Sequence, residues 1–234
     1  MLAFVEPSPN IRPFVLPPLG EQHELVASRL GRIRLQPVFE QRDRRDLLIV
    51  PNPSAWERVW IGPIRQTHAQ AFDYAPRKLT PTRGQRMRTY CEKLDSWYRL
   101  RPQTHAAWEH FERDRSSDFS IMRIDVGMYH AGKSPDELVR TLRPNEFPLD
   151  PYTFFIALYM AREARTPTLH ADTTQFVLCA GAQYDPEGKE RWADTVCWIS
   201  CLNQDTAEWN WSERARDLHL HATGFVEPSL IGKK

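Results

Sequence analysis

Apolar positions crowd one stretch of this chain more densely than any other. In DPYTFFIALYMAREAR, starting at Asp150, every side of a helix between Tyr152 and Met160 would carry apolar groups. That pattern predicts a buried helix over 150–165 rather than a half-exposed one. Asp150 suits the N-cap and Pro151 the first helical position. Two strand-like runs follow, TTQFVLCAGAQY and RWADTVCWISCLN, separated by DPEGK. The Pro of that linker starts a turn, and its Gly tolerates a positive φ. A buried helix beside a hairpin forms a core for the other segments to pack against.

Elsewhere the pattern switches between periods. FSIMRIDVGMY, residues 119 to 129, alternates: Met122, Ile124, Val126 and Met128 share one face, Arg123 and Asp125 the other. This is a strand signature. SPDELVRTL follows, with Ser134 as N-cap, Pro135 as first helical residue and Glu137 completing a capping box. Residues 205 to 217 read as helix, and LHLHATGFV as the last strand. Before residue 118, ELVASRL, RIRLQPVF and DLLIV read as short strands, and 104 to 113 as a short helix. Between them, Met87, Tyr90, Cys91, Leu94, Trp97 and Tyr98 recur at helical spacing and predict a helix over 81–100.

The expected architecture is therefore α+β. Residues 118–226 follow the β-α-β-β-α-β order of a ferredoxin-like unit, with an antiparallel sheet, helices on one face and the other face open. A proline-rich extended arm (1–20) and a region of strands plus a basic helix (21–117) precede a core at 118–234. Pro7, Pro9, Pro13, Pro17 and Pro18 hold the arm extended.

Composition narrows the class. With 234 residues, 41% hydrophobic and 26% charged, the chain has the make-up of a globular protein. Its longest apolar run, Phe154 to Ala161, is too short to span a bilayer. The N-terminus lacks the basic and apolar regions of a signal peptide. Cys91, Cys179, Cys197 and Cys201 form no C-x-x-C pair, so reduced thiols and a cytoplasmic setting are expected.

Charge changes the picture more. The net charge is only +1, yet residues 77–101 hold eight basic residues against Glu92 and Asp95. Arg77, Lys78, Arg83, Arg86, Arg88 and Arg99 are the candidate phosphate contacts, with nearby aromatics available for bases. The expectation is a nucleic-acid-binding or nucleic-acid-associated accessory protein without its own catalysis and without a cofactor. An acidic protein partner would suit the same arginines, in a structural subunit of a larger assembly.

A competing chemistry is a divalent metal. His219 and His221 alternate in the last strand, and His170 and Asp172 have the same spacing at the entry of another. Imidazoles sharing a strand face are good metal ligands, with Asp172 or Asp125 as the acidic one. A 2-His-1-carboxylate oxygenase-like site is one form. A single-strand nuclease-like site is another, with Tyr152 or Tyr159 as nucleophile. H-x-H and H-x-D pairs are common by chance in a chain with eight histidines. No serine elbow, phosphate-binding glycine loop or metalloprotease motif is present.

Overall fold

A computed structural model describes residues 14–30, 44–55, 68–72, 75, 88–89, 98–113, 118–164, 176–185, 196–203, 206–212 and 219–226. Helix α1 spans Leu19–Leu30, α2 Pro102–Phe111, α3 Pro135–Arg140 and α4 Pro151–Glu163. The strands are β1 Leu47–Pro51, β2 Arg88–Thr89, β3 Tyr98–Leu100, β4 Phe119–Gly127, β5 Glu146–Pro148, β6 Phe176–Cys179, β7 Ala182–Tyr184, β8 Val196–Asn203, β9 Thr206–Ser212 and β10 His219–Phe225. The fold is mixed α+β.

The main sheet runs β1-β4-β10-β6-β8-β9-β2, with β5 also paired to β10; β3 and β7 form a separate pair. Strand β10 is its hub. One side meets β4 antiparallel; the other meets β6 in parallel and then β5 antiparallel. The expected ferredoxin-like order and wholly antiparallel sheet are therefore corrected. The last strand lies inside the sheet, and β2 pairs β9 in parallel as well. Both faces of β10 are covered, since Leu220 to Phe225 are all buried.

Helix α4 is buried as its sequence predicts. Phe154 and Ile156 are fully inaccessible, and Phe155, Leu158 and Tyr159 nearly so. Asp150 caps it: Oδ1 accepts from the Thr153 N–H at 3.0 Å, and Oδ2 from the Thr153 hydroxyl at 2.7 Å. The Trp108 indole of α2 donates to the same Oδ2 at 3.0 Å. This carboxylate is fully buried, and its hydrogen bonds offset the cost of desolvation. The Ser134–Glu137 capping box of α3 is formed in both directions.

Three local expectations fail for physical reasons. ELVASRL lies in helix α1, where Leu19, Gln22 and Val26 fall on one buried helical face. The helix expected over 81–100 is contradicted by β2 and β3. Tyr98 and Leu100 are buried around a half-exposed Arg99, which is period two. Arg101 before Pro102 is held extended at φ −64° and ψ 152°. The helix expected over 205–217 is strand β9, in which Ala207, Trp209 and Trp211 alternate with polar residues. It pairs β8 antiparallel. In each case cross-strand pairing outweighs a helical spacing that short windows cannot distinguish from alternation.

The expected hairpin forms between β6 and β8, but its first run divides at Gly181 so that β7 joins β3. Gly181 donates to the Leu149 carbonyl at 2.9 Å and accepts from the Arg101 N–H at 2.8 Å. A Cβ there would sit 2.4 Å from the Pro148 carbonyl oxygen. Only glycine allows the backbones this close.

Among the described residues, strand β1 is one end of the sheet. Gln22 of α1 donates to the Leu47 carbonyl and accepts from the Ile49 N–H, at 2.7 and 2.9 Å. The Tyr152 hydroxyl donates to the Pro51 carbonyl at 2.5 Å. The expected strand over 32–39 and the ambiguous segment around Trp56 and Trp60 lie outside the described residues. Within them, residues 14–18 pack on the core, where Leu16 is buried and Phe14 meets Phe154 with ring centroids 5.9 Å apart.

Candidate functional site

The richest polar cluster lies where the end of β4, the turn after it, α3, β5 and β10 converge. Two left-handed residues bend the chain into it: Gly132 at φ 74° and Asn145 at φ 63°. Pro144 and Asn145 occupy the centre of a turn closed by the Glu146 N–H on the Arg143 carbonyl at 3.0 Å. That turn sets Arg143 against Glu146.

Glu146 is the buried centre, with its side chain fully inaccessible. Its Oε2 accepts from the Arg143 backbone N–H at 2.7 Å and from Nε at 3.0 Å. Its Oε1 accepts from Arg143 Nη2 at 2.9 Å and from the Thr223 hydroxyl at 2.7 Å. His130 Nε2 lies 3.1 Å from Oε1. Burial alone would raise the Glu146 carboxyl, but donation from Arg143 and Thr223 outweighs it and holds the group at about 2. Arg143 is held charged by the same hydrogen bonds, and its Nη2 also reaches Asp125 at 2.9 Å.

The tautomer of His130 follows from its neighbours. Lys133 Nζ lies 3.1 Å from His130 Nδ1, and an ammonium can only donate. Nδ1 therefore accepts, and Nε2 carries the proton donated to Glu146. Burial pushes this imidazole below its ordinary value, against the pull of the Glu146 charge. Lys133 Nζ also donates to the Thr141 hydroxyl at 2.9 Å. Above the cluster stands Tyr129, the one exposed large apolar side chain among the residues whose burial is described, at 59% exposure. The Arg143 guanidinium carbon lies 4.5 Å from its ring centre, and Lys133 Nζ 5.3 Å.

The residues singled out from sequence fall differently. Arg77, Lys78, Arg83, Arg86, His170 and Asp172 lie outside the described residues. Arg88 is on β2, in register with Glu208 of β9. Arg99 is on β3, where its Nε donates to Gln183 at 2.9 Å. His219 and His221 lie on β10, in register with Phe176 and Leu178. His221 is buried and its Nε2 lies 2.7 Å from the Lys133 carbonyl, which can only accept. Asp125 is engaged by Arg143. Tyr152 is fully buried, and its hydroxyl donates to the Pro51 carbonyl, which anchors β1. Tyr159 is buried on α4. Among the described residues no three His, Cys, Asp or Glu side chains are grouped to hold a metal.

Sequence reasoning missed Tyr129, His130, Lys133, Arg143 and Glu146 as a group. The available signals were the glycine turn, the Pro-Asn turn and the capping box, which together place α3 between β4 and β5. Comparison of the chain with protein-family models, curated proteins and solved structures finds no match. No helix among the described residues is long and apolar enough to cross a membrane.

Proposed function

We propose that this chain is a nucleic-acid-binding or nucleic-acid-associated accessory protein without catalysis of its own, in a cytoplasmic setting. The observation that carries the reading is the concentration of positive charge in residues 77–101, in a chain of net charge only +1. Guanidinium groups clustered over so short a segment suit the regular spacing of phosphates, and displaced counterions add to affinity. The basic helix is no part of this proposal. The phosphate contacts are Arg77, Lys78, Arg83, Arg86 and Arg88, and Arg88 belongs to the end strand of the main sheet. Arg99 joins them from β3, where its Nε donates to Gln183.

Binding to single- and double-stranded oligonucleotides across a salt series is the test, with an acidic protein as control. Arg77→Glu, Arg83→Glu and Arg86→Glu together are expected to abolish binding at moderate salt. The wild-type slope of log K against log salt should carry roughly 0.7 to 0.9 per contacted phosphate. An intact fold that binds no oligonucleotide at low salt overturns the proposal. Preferential binding of the acidic protein would assign the arginines to a protein partner.

A further inference from the structure

The geometry points to Tyr129 as a stacking platform for one base of a single-stranded nucleic acid, with Arg143 and Lys133 holding the adjacent phosphate. This deepens the nucleic-acid reading, on which it rests, but uses residues far in sequence from the basic window.

Three observations converge. The Tyr129 ring is 59% exposed, more open to solvent than any other large apolar side chain whose burial is described. Two cations lie against it, at 4.5 and 5.3 Å from the ring centre. A cation beside a ring draws electron density toward itself and favours stacking of an electron-rich base on the open part of the ring.

Donor accounting supplies the anion contact. A guanidinium has five N–H groups. Arg143 directs Nε and both protons of Nη2 to Glu146 and Asp125. Its Nη1 forms no hydrogen bond among the described residues. An ammonium has three N–H groups, and Lys133 uses two, on His130 and Thr141. Two N–H groups of Nη1 and one of Nζ thus remain for a ligand beside an exposed ring. Both cations are already fixed by their other bonds, so little side-chain entropy is lost when an anion arrives. Arg143 is 34% exposed and accessible from solvent.

The test uses the full chain and a single-stranded oligothymidylate carrying one 2-aminopurine. Stacking on Tyr129 is expected to quench the probe. Tyr129→Ala should remove the quenching and weaken binding roughly five- to a hundredfold, the range for loss of one stacked base, with the salt slope unchanged. Tyr129→Trp should retain both. Lys133→Ala should lower the slope by roughly 0.7, the share of one phosphate on a single strand. Tyr129→Ala binding as tightly as wild type, with the same quenching, overturns the platform and leaves the basic window standing. Loss of binding in Tyr129→Ala but not in the triple arginine variant removes the basic window and keeps the platform. Absence of any oligonucleotide binding by the wild type at low salt overturns both.

Discussion

Replacing Glu146 by glutamine should destabilise this protein by about 3 kcal/mol at neutral pH, and two independent routes give that figure. The first is titration. The group moves from an ordinary 4.5 to about 2 on folding, and each unit is worth about 1.4 kcal/mol. The second is structural. Removing one partner of a buried charge pair costs about 3–5 kcal/mol, and the partial exposure of Arg143 places this pair at the lower end. Five donors converge on the carboxylate: the backbone N–H, Nε and Nη2 of Arg143, the Thr223 hydroxyl and His130 Nε2. Glutamine offers one carbonyl oxygen and turns an NH₂ group toward the remaining donors.

Urea unfolding as a function of pH is the assay. Folding favours the carboxylate, so its contribution is complete above about 4.5 and is lost as the pH falls toward 2. The wild type and Glu146→Gln should therefore converge in stability over that window. His130 acts in the same direction at higher pH. Burial keeps it neutral when folded, so below its ordinary 6.5 the unfolded chain takes up a proton that the folded one resists. A variant within 0.5 kcal/mol of wild type at pH 7, or a stability gap that persists unchanged at pH 2.5, would refute the reasoning.

Phe155→Asp, at a site 3% exposed on α4, should cost several kcal/mol in denaturant unfolding by leaving a charge unpaired in an apolar site. Gly181→Ala should cost roughly 1–3 kcal/mol or more in thermal melts, because the new Cβ meets backbone atoms that cannot swing aside. Gly20→Ala, in α1 with nothing within 4 Å of the added atom, should instead stabilise by roughly 0.5–1 kcal/mol in the same measurement.

Where one principle dominated, the fold was legible in advance. Helix α4 is apolar all round and begins with Asp-Pro, and strand β4 alternates over its length. The capping box of α3 also announced itself. The errors arose where two periods fitted the same residues. Tyr98 and Leu100 suit a helical face and a strand face equally, and partners 84 residues away, such as Gln183 for Arg99, decided between them. Strand β9 was misread for the same reason. The polar cluster was hidden more deeply. Glu146, His130 and Thr223 come from segments separated by up to 93 positions and meet only because β10 lies beside both β4 and β5. The histidine pair at 219 and 221 had the more suggestive spacing, yet His221 is engaged with a main-chain carbonyl.

A glutamine side chain is chemically a peptide group on a short stem. At the outer edge of β1, Gln22 offers one donor and one acceptor to Leu47 and Ile49, as a further strand would. The Tyr152 hydroxyl extends this imitation to Pro51, whose own nitrogen has nothing to donate. Among the described residues the sheet thus ends against a counterfeit neighbour one residue long. Among the described residues, the Gln22 amide and the Tyr152 hydroxyl are what occupy this border against edge-to-edge stacking of copies. A change at position 22 that removed the amide while leaving α1 folded would turn this border into a template for self-association.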